Sequence, residues 1–207
     1  MKKLMVGLMV VAMAAVAQAE LLATWNTADN TGAVTDGTDD AVVTGLTVYG
    51  GAAKTGTASV WGMNSLVSGG GLQFTISSIA GGQWIENAVV AGTASGSSTG
   101  PREMDWYIGE ANTGVSVVRT AAAATPFSST LGTLYSGDTV SLRTDVAAGT
   151  VRSGTAETFT NNAGSFYITT AGGGMTLNGD LTIPEPATMG LLGLGALAMV
   201  LRRKMSK

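Results

Sequence analysis

The sequence predicts an all-β body, an antiparallel β-sandwich of jelly-roll type, and three observations carry that prediction. Apolar residues alternate with polar ones in many short runs, Gly-rich turns separate those runs, and between the two chain ends no stretch shows convincing helical spacing. Alternation with a period of two puts each apolar set on one side of a strand, facing a core, and leaves Thr, Ser and Gln to water. Eight or nine such strands suit a sandwich, with a barrel or a β-solenoid as alternatives. No repeat period in the range of about 20 to 50 residues is present, which disfavours a repeat array.

The elements follow in order. Leu22, Thr24 and Trp25 open the body. Strands are then expected over Val42–Tyr49, Leu72–Ser77, Trp84–Val90, Glu103–Gly109, Val115–Arg119, Thr139–Thr144, Ser165–Thr170 and Met175–Ile183. Leu72, Phe74 and Ile76 form one inward face, Met104, Trp106 and Ile108 a second, and Val140 with Leu142 and Phe166 with Ile168 repeat it. Ala91–Gly100 reads as the most flexible connection, and Gly69–Gly71 and Gly172–Gly174 as loop tips. Ala121–Ala124 could form one helical turn, which Pro126 would stop.

The two ends are not globular sequence. Lys2 and Lys3 precede an apolar run from Leu4 to Val16, and Ala17-Gln18-Ala19 supplies small residues at the −3 and −1 positions before Glu20. That is a signal peptide over residues 1–19, with a permanent N-terminal anchor as the alternative. At the other end, residues 183–207 hold Pro184-Glu185-Pro186, an apolar run over 187–201, and a basic tail over 202–207 led by Arg202, Arg203 and Lys204. Fifteen helical residues would span roughly 22 Å, short of the ~30 Å hydrocarbon core. Snorkelling arginines and local thinning make up the difference, and the positive-inside rule keeps the basic tail in the cytoplasm. Helices are therefore expected at both ends: a signal-peptide helix and a short transmembrane helix flanking a body over 20–182. Both ends demand that the body be exported.

Charge is segregated to match. All 14 acidic residues lie between Glu20 and Glu185, opposed there only by Lys54, Arg102, Arg119, Arg143 and Arg152, while the other six of the 11 cations sit at the ends. An acidic body repels phosphate, so nucleic acid is excluded as a partner. With no Cys and no His, the chain has no disulfide, no thiol nucleophile, no thiolate metal site and no Ser-His-Asp arrangement. About 165 residues between the ends suffice for one domain with a real core.

The C-terminal arrangement of Pro-Glu-Pro, a short Gly/Leu-rich apolar run and an Arg cluster resembles the PEP-CTERM sorting signal. The resemblance implies that an exosortase, an integral-membrane transpeptidase of Gram-negative bacteria that make extracellular polysaccharide, processes the chain. Pro184, Glu185 and Pro186 would be its recognition motif, held extended by the prolines. A plain tail anchor whose prolines start a helix is the alternative. More loosely, the body is similar to β-sandwich domains found ahead of such tails. The similar pieces are the opening strand with Trp25, Gly45–Val48, Gly100-Pro101 leading into Trp106-Tyr107, Gly137-Asp138-Thr139, and the closing strand that runs straight into the tail.

Three constellations are weighed as sites. Glu103 and Asp105 point to one face of a strand about 7 Å apart; paired carboxylates at such a distance can hydrolyse glycosides, but acids alternating on a strand are ordinarily its solvated face. Asp36, Asp39 and Asp40 sit in an acidic Gly/Thr loop, which reads either as a solvated turn or as a structural calcium site. Of four tryptophans, Trp106 is in phase with core residues, and Trp61 and Trp84 are the candidates for sugar stacking, with core anchoring as the competing role. The expectation is thus a non-catalytic protein without a resident cofactor. It is exported to the inner membrane and then to the cell surface or the extracellular, biofilm-type polysaccharide matrix, where it binds carbohydrate. A self-associating envelope protein and a glycoside-active enzyme are the alternatives.

Overall fold

The computed structural model describes residues 19–27, 32–37, 41–57, 60–64, 69–97, 100–119, 124–144, 164–169 and 174–182. Among them are fourteen strands: β1 (Glu20–Trp25), β2 (Val34–Gly37), β3 (Ala41–Val43), β4 (Thr47–Tyr49), β5 (Ala53–Thr57), β6 (Val60–Asn64), β7 (Gly71–Ile79), β8 (Trp84–Gly96), β9 (Glu103–Ile108), β10 (Ala111–Val118), β11 (Thr125–Leu134), β12 (Thr139–Arg143), β13 (Phe166–Thr169) and β14 (Met175–Thr182). One short 3-10 turn, Ala80–Gly82, joins β7 to β8. The all-β prediction holds, and all described pairings are antiparallel.

The six-stranded sheet is a simple ladder. It runs β10-β9-β12-β7, and the far edge of β7 is shared end to end by β3 and β4. The expected single strand Val42–Tyr49 is therefore two strands, interrupted where Thr44 turns its backbone N–H to Thr75 O and Leu46 donates to Gly32 O. Gly71 is needed where β7 meets β12, because a side chain there would strike the Leu142 carbonyl.

The eight-stranded sheet branches. β8 is thirteen residues long and serves as its spine, with β11 along one edge and β14 followed by β13 along the other. Ala94 pairs with both Thr125 and Ile168, which fixes β11 and β13 on opposite edges. Outward from β14 come β1 and β2; outward from β13 come β6 and β5. β8 includes Ala91–Gly96, most of the stretch expected to be the most flexible connection. Small residues lower strand propensity, but here three neighbours hydrogen-bond them. Pro126 lies inside β11, a strand paired on one side only among the described residues, where a missing N–H is tolerated. The expected turn at Ala121–Ala124 falls largely outside the described residues.

One apolar cluster draws on both sheets. Leu22, Trp25, Trp61, Ile85, Val90, Phe166 and Leu177 come from the larger, and Leu72, Phe74, Ile76, Met104, Trp106, Val140 and Leu142 from the smaller. Trp25 links them directly: its ring lies 4.6 Å from that of Phe74, and its indole N–H donates to Thr44 O at 2.9 Å. β8 carries a bulge where Asn87, at φ 51°, donates to Asp180 Oδ2 at 2.8 Å, an αL position that Asn accepts better than most residues.

Candidate functional site

Two places are candidates for functional chemistry: the junction with the tail, and the polar face of the smaller sheet.

The junction is set by β14. This last strand lies between β1 and β8, an interior position, and its final residue Thr182 pairs with Trp84. β1 runs antiparallel to β14 and begins with Glu20 opposite Gly179. The start of β1 and the end of β14 therefore lie at the same end of the sheet. Ala19 and Glu20, which flank the expected cleavage point, are exposed. Ala17 lies outside the described residues, as do Pro184, Glu185, Pro186, Arg202, Arg203, Lys204 and both expected helices. Among the described residues no helix is long and apolar enough to cross a membrane.

The second place is built by strand alternation. Met104, Trp106 and Leu142 face the core, so Asp105, Tyr107, Ser141 and Arg143 project the other way. Arg143 is the centre. Its guanidinium lies 4.1 Å from the Tyr49 ring centroid and 4.7 Å from that of Tyr107. Its Nε donates to Ser141 Oγ at 2.6 Å, Nη2 to Gly109 O at 2.6 Å, and Nη1 to Glu110 Oε2 at 2.8 Å. The Arg143 side chain is 7% exposed and that of Glu110 84%. Arg143 holds the Glu110 carboxyl below its ordinary value, first by hydrogen bonding and then by its charge, with Tyr49 donating to the same carboxylate. Tyr107 is held in turn by Asn112 Nδ2 at 3.2 Å. Chemically this is a planar cation between two rings, rimmed by an exposed carboxylate.

The residues singled out from sequence fare differently. Asp105 is buried, accepts from Ser116 Oγ at 2.7 Å and sits opposite Arg143 across β12, while Glu103 is half-buried opposite Val118. The two acids thus share a face but are housed differently. Trp61 does not meet the expectation of sugar stacking: it is fully buried, its indole against Gly32, so it presents no ring face to a sugar. Trp84 is half-buried, and its indole donates to Glu86 Oε1 at 2.9 Å beside the tail junction. Asp39 and Asp40 lie outside the described residues; Asp36 is placed only by its backbone, opposite Thr24. No group of three or more metal-binding side chains is present among the described residues. Sequence reading missed Tyr49, Tyr107, Glu110 and Arg143. Reading the polar phase of the strands, and not only the apolar one, would have put Asp105 and Tyr107 on one face and Ser141 and Arg143 beside them.

A family described as the PEP-CTERM protein-sorting motif matches residues 182–204, so its first residue is the last residue of β14. No curated protein and no solved structure matches the chain. The chain carries a PEP-CTERM sorting motif as its C-terminal tail behind a β-rich body. Such a tail implies export and processing at the membrane by an exosortase.

Proposed function

We propose that this chain is a non-catalytic, surface-delivered β-sandwich protein of the cell envelope or extracellular polysaccharide matrix. It is held in the inner membrane as a precursor by residues 187–201 and freed or transferred by exosortase cutting at the tail. The observation that carries this reading is the sorting motif at 182–204, placed directly behind an interior strand of the body. A sandwich is supported by the one apolar cluster shared between two antiparallel sheets and by the Trp25–Phe74 contact across them.

Carbohydrate binding is assigned to the polar face of the smaller sheet, where Tyr49, Tyr107, Arg143 and Glu110 combine apolar ring surface with charged hydrogen-bonding groups. Self-association is the second reading, favoured by β11, a ten-residue strand without charge that, among the described residues, pairs only with β8.

The sorting reading is tested by replacing Pro184, Glu185 and Pro186 together with Ala in the native host and fractionating the cells. The precursor is expected to accumulate in the inner membrane. Unchanged delivery to the surface would contradict it. Polysaccharide pull-down with wild-type protein and Tyr107→Ala then tests the sheet face.

A further inference from the structure

Four residues separate Thr182, hydrogen-bonded within the sheet, from the start of the apolar run at Ala187. Even fully extended, the steps from Thr182 to Ala187 reach only about 18 Å. A precursor held by that run therefore has one end of its body pressed close to the lipid headgroups, and register shows which end. β14 finishes opposite Trp84, and β1 begins opposite Gly179. β11 finishes with Leu134 opposite Ile85, one residue before Tyr135. The turn after it is pinned to the end of β7, where Gly137 donates to Ile76 O and Ser136 Oγ to Ser77 O. Val42 pairs with Ser78, beside the 3-10 turn that leads to Trp84.

Among the described residues, the exposed large apolar side chains are Leu21 (38%), Val42 (52%), Val118 (46%) and Tyr135 (56%). Three of these four, with half-buried Trp84, lie at the tail end; Val118, opposite Glu103, lies toward the other. Tryptophan and tyrosine beside aliphatic groups are what the headgroup layer favours. We propose that in the membrane-held precursor the end of the body bearing Leu21, Val42, Trp84 and Tyr135 rests on the lipid surface, with Trp84 and Tyr135 at headgroup depth. This rests on the membrane-held tail proposed above. Glu86 and Asp138 stand at the same end, bonded to the Trp84 indole and the Tyr135 backbone N–H. Their charge does not attract anionic lipid, so the short tether is what enforces the contact.

The test uses the full chain after signal removal, reconstituted in phosphatidylethanolamine and phosphatidylglycerol vesicles whose acyl chains are brominated near the headgroup. Trp25, Trp61 and Trp106 are fully buried, so lipid quenching of tryptophan fluorescence reports Trp84. Quenching is expected, with loss in Trp84→Phe and weakening when about 12 Gly/Ser residues follow Thr182 and lengthen the tether. Protein that floats with the vesicles but is quenched no more than Trp84→Phe overturns the lipid contact and leaves the tail reading standing. Protein that fails to float overturns both. Shielding of Trp84 from an aqueous quencher only after exosortase is added would make the protease the partner, and also overturns the proposal.

Discussion

The eight-stranded sheet carries the first and last described strands and branches around β8, whereas the six-stranded sheet contains neither and runs as a plain ladder. Sheet chemistry is the same in both, yet their dependence on the rest of the chain is opposite. Among the described residues, the last strand of the smaller sheet ends at Arg143. The larger one needs Met175–Thr182 as an interior strand, and that strand ends where the sorting motif begins.

The largest effect expected from that asymmetry is on truncation. A chain from Glu20 ending at Thr182 should melt cooperatively, while one ending at Gly174 loses the strand between β1 and β8 and should show no cooperative transition by circular dichroism. Next comes the link between the sheets. Trp25→Ala removes a fully buried indole and its bond to Thr44, and is expected to cost about 4 kcal/mol in urea unfolding.

Smaller again is a clash confined to the branch. Gly62 lies beneath the Tyr167 ring across β6 and β13, and a Cβ there would strike Cδ1 of that ring. Gly62→Val should cost about 2 kcal/mol, and adding Tyr167→Ala should return part of it, a non-additivity read by a double-mutant cycle. On the smaller sheet, Arg143→Ala loses its stacking on Tyr49 and Tyr107 and its bonds to Ser141 and Gly109, for an expected cost of about 1.5 kcal/mol.

The smallest effect is on pH. Arg143 lowers the Glu110 carboxyl below its ordinary value of 4.5, so this group's contribution is present above that value and lost as pH falls through the lower, folded-state value. The melting-temperature difference between wild type and Glu110→Gln should be flat from neutral pH to about 5 and shrink below about 4. Solvent screening at an exposed carboxylate keeps it slight.

The same contrast explains what the sequence discloses. The smaller sheet is legible because its core strands alternate cleanly: Leu72-Phe74-Ile76 and Val140-Leu142 are buried as the period of two demands. In the larger sheet β2, β5, β6 and β11 escape notice. Val34–Gly37 and Ala53–Thr57 have too few apolar residues to show a period, and Val60–Asn64 owes its strand to partners on both sides. Trp61 has Gly62 beside it and no run of alternating apolar residues to mark a strand, yet that glycine makes room for Tyr167 and lets β6 pack inside the sheet. The sorting signal is legible because hydrophobicity and charge define it without any fold. The Arg143 cluster is not, since Tyr49, Glu110 and Arg143 meet only when three separate segments pair.

The central claim, export of the whole acidic body with its tail processed at the membrane, is tested most directly by intact-mass measurement of the protein in cells with and without exosortase. The account predicts a surface form that begins at Glu20 and lacks Arg202–Lys207 in the first, and an inner-membrane form retaining that tail in the second. A polypeptide still beginning at Met1 and ending at Lys207 in the cytosol of both strains would contradict it.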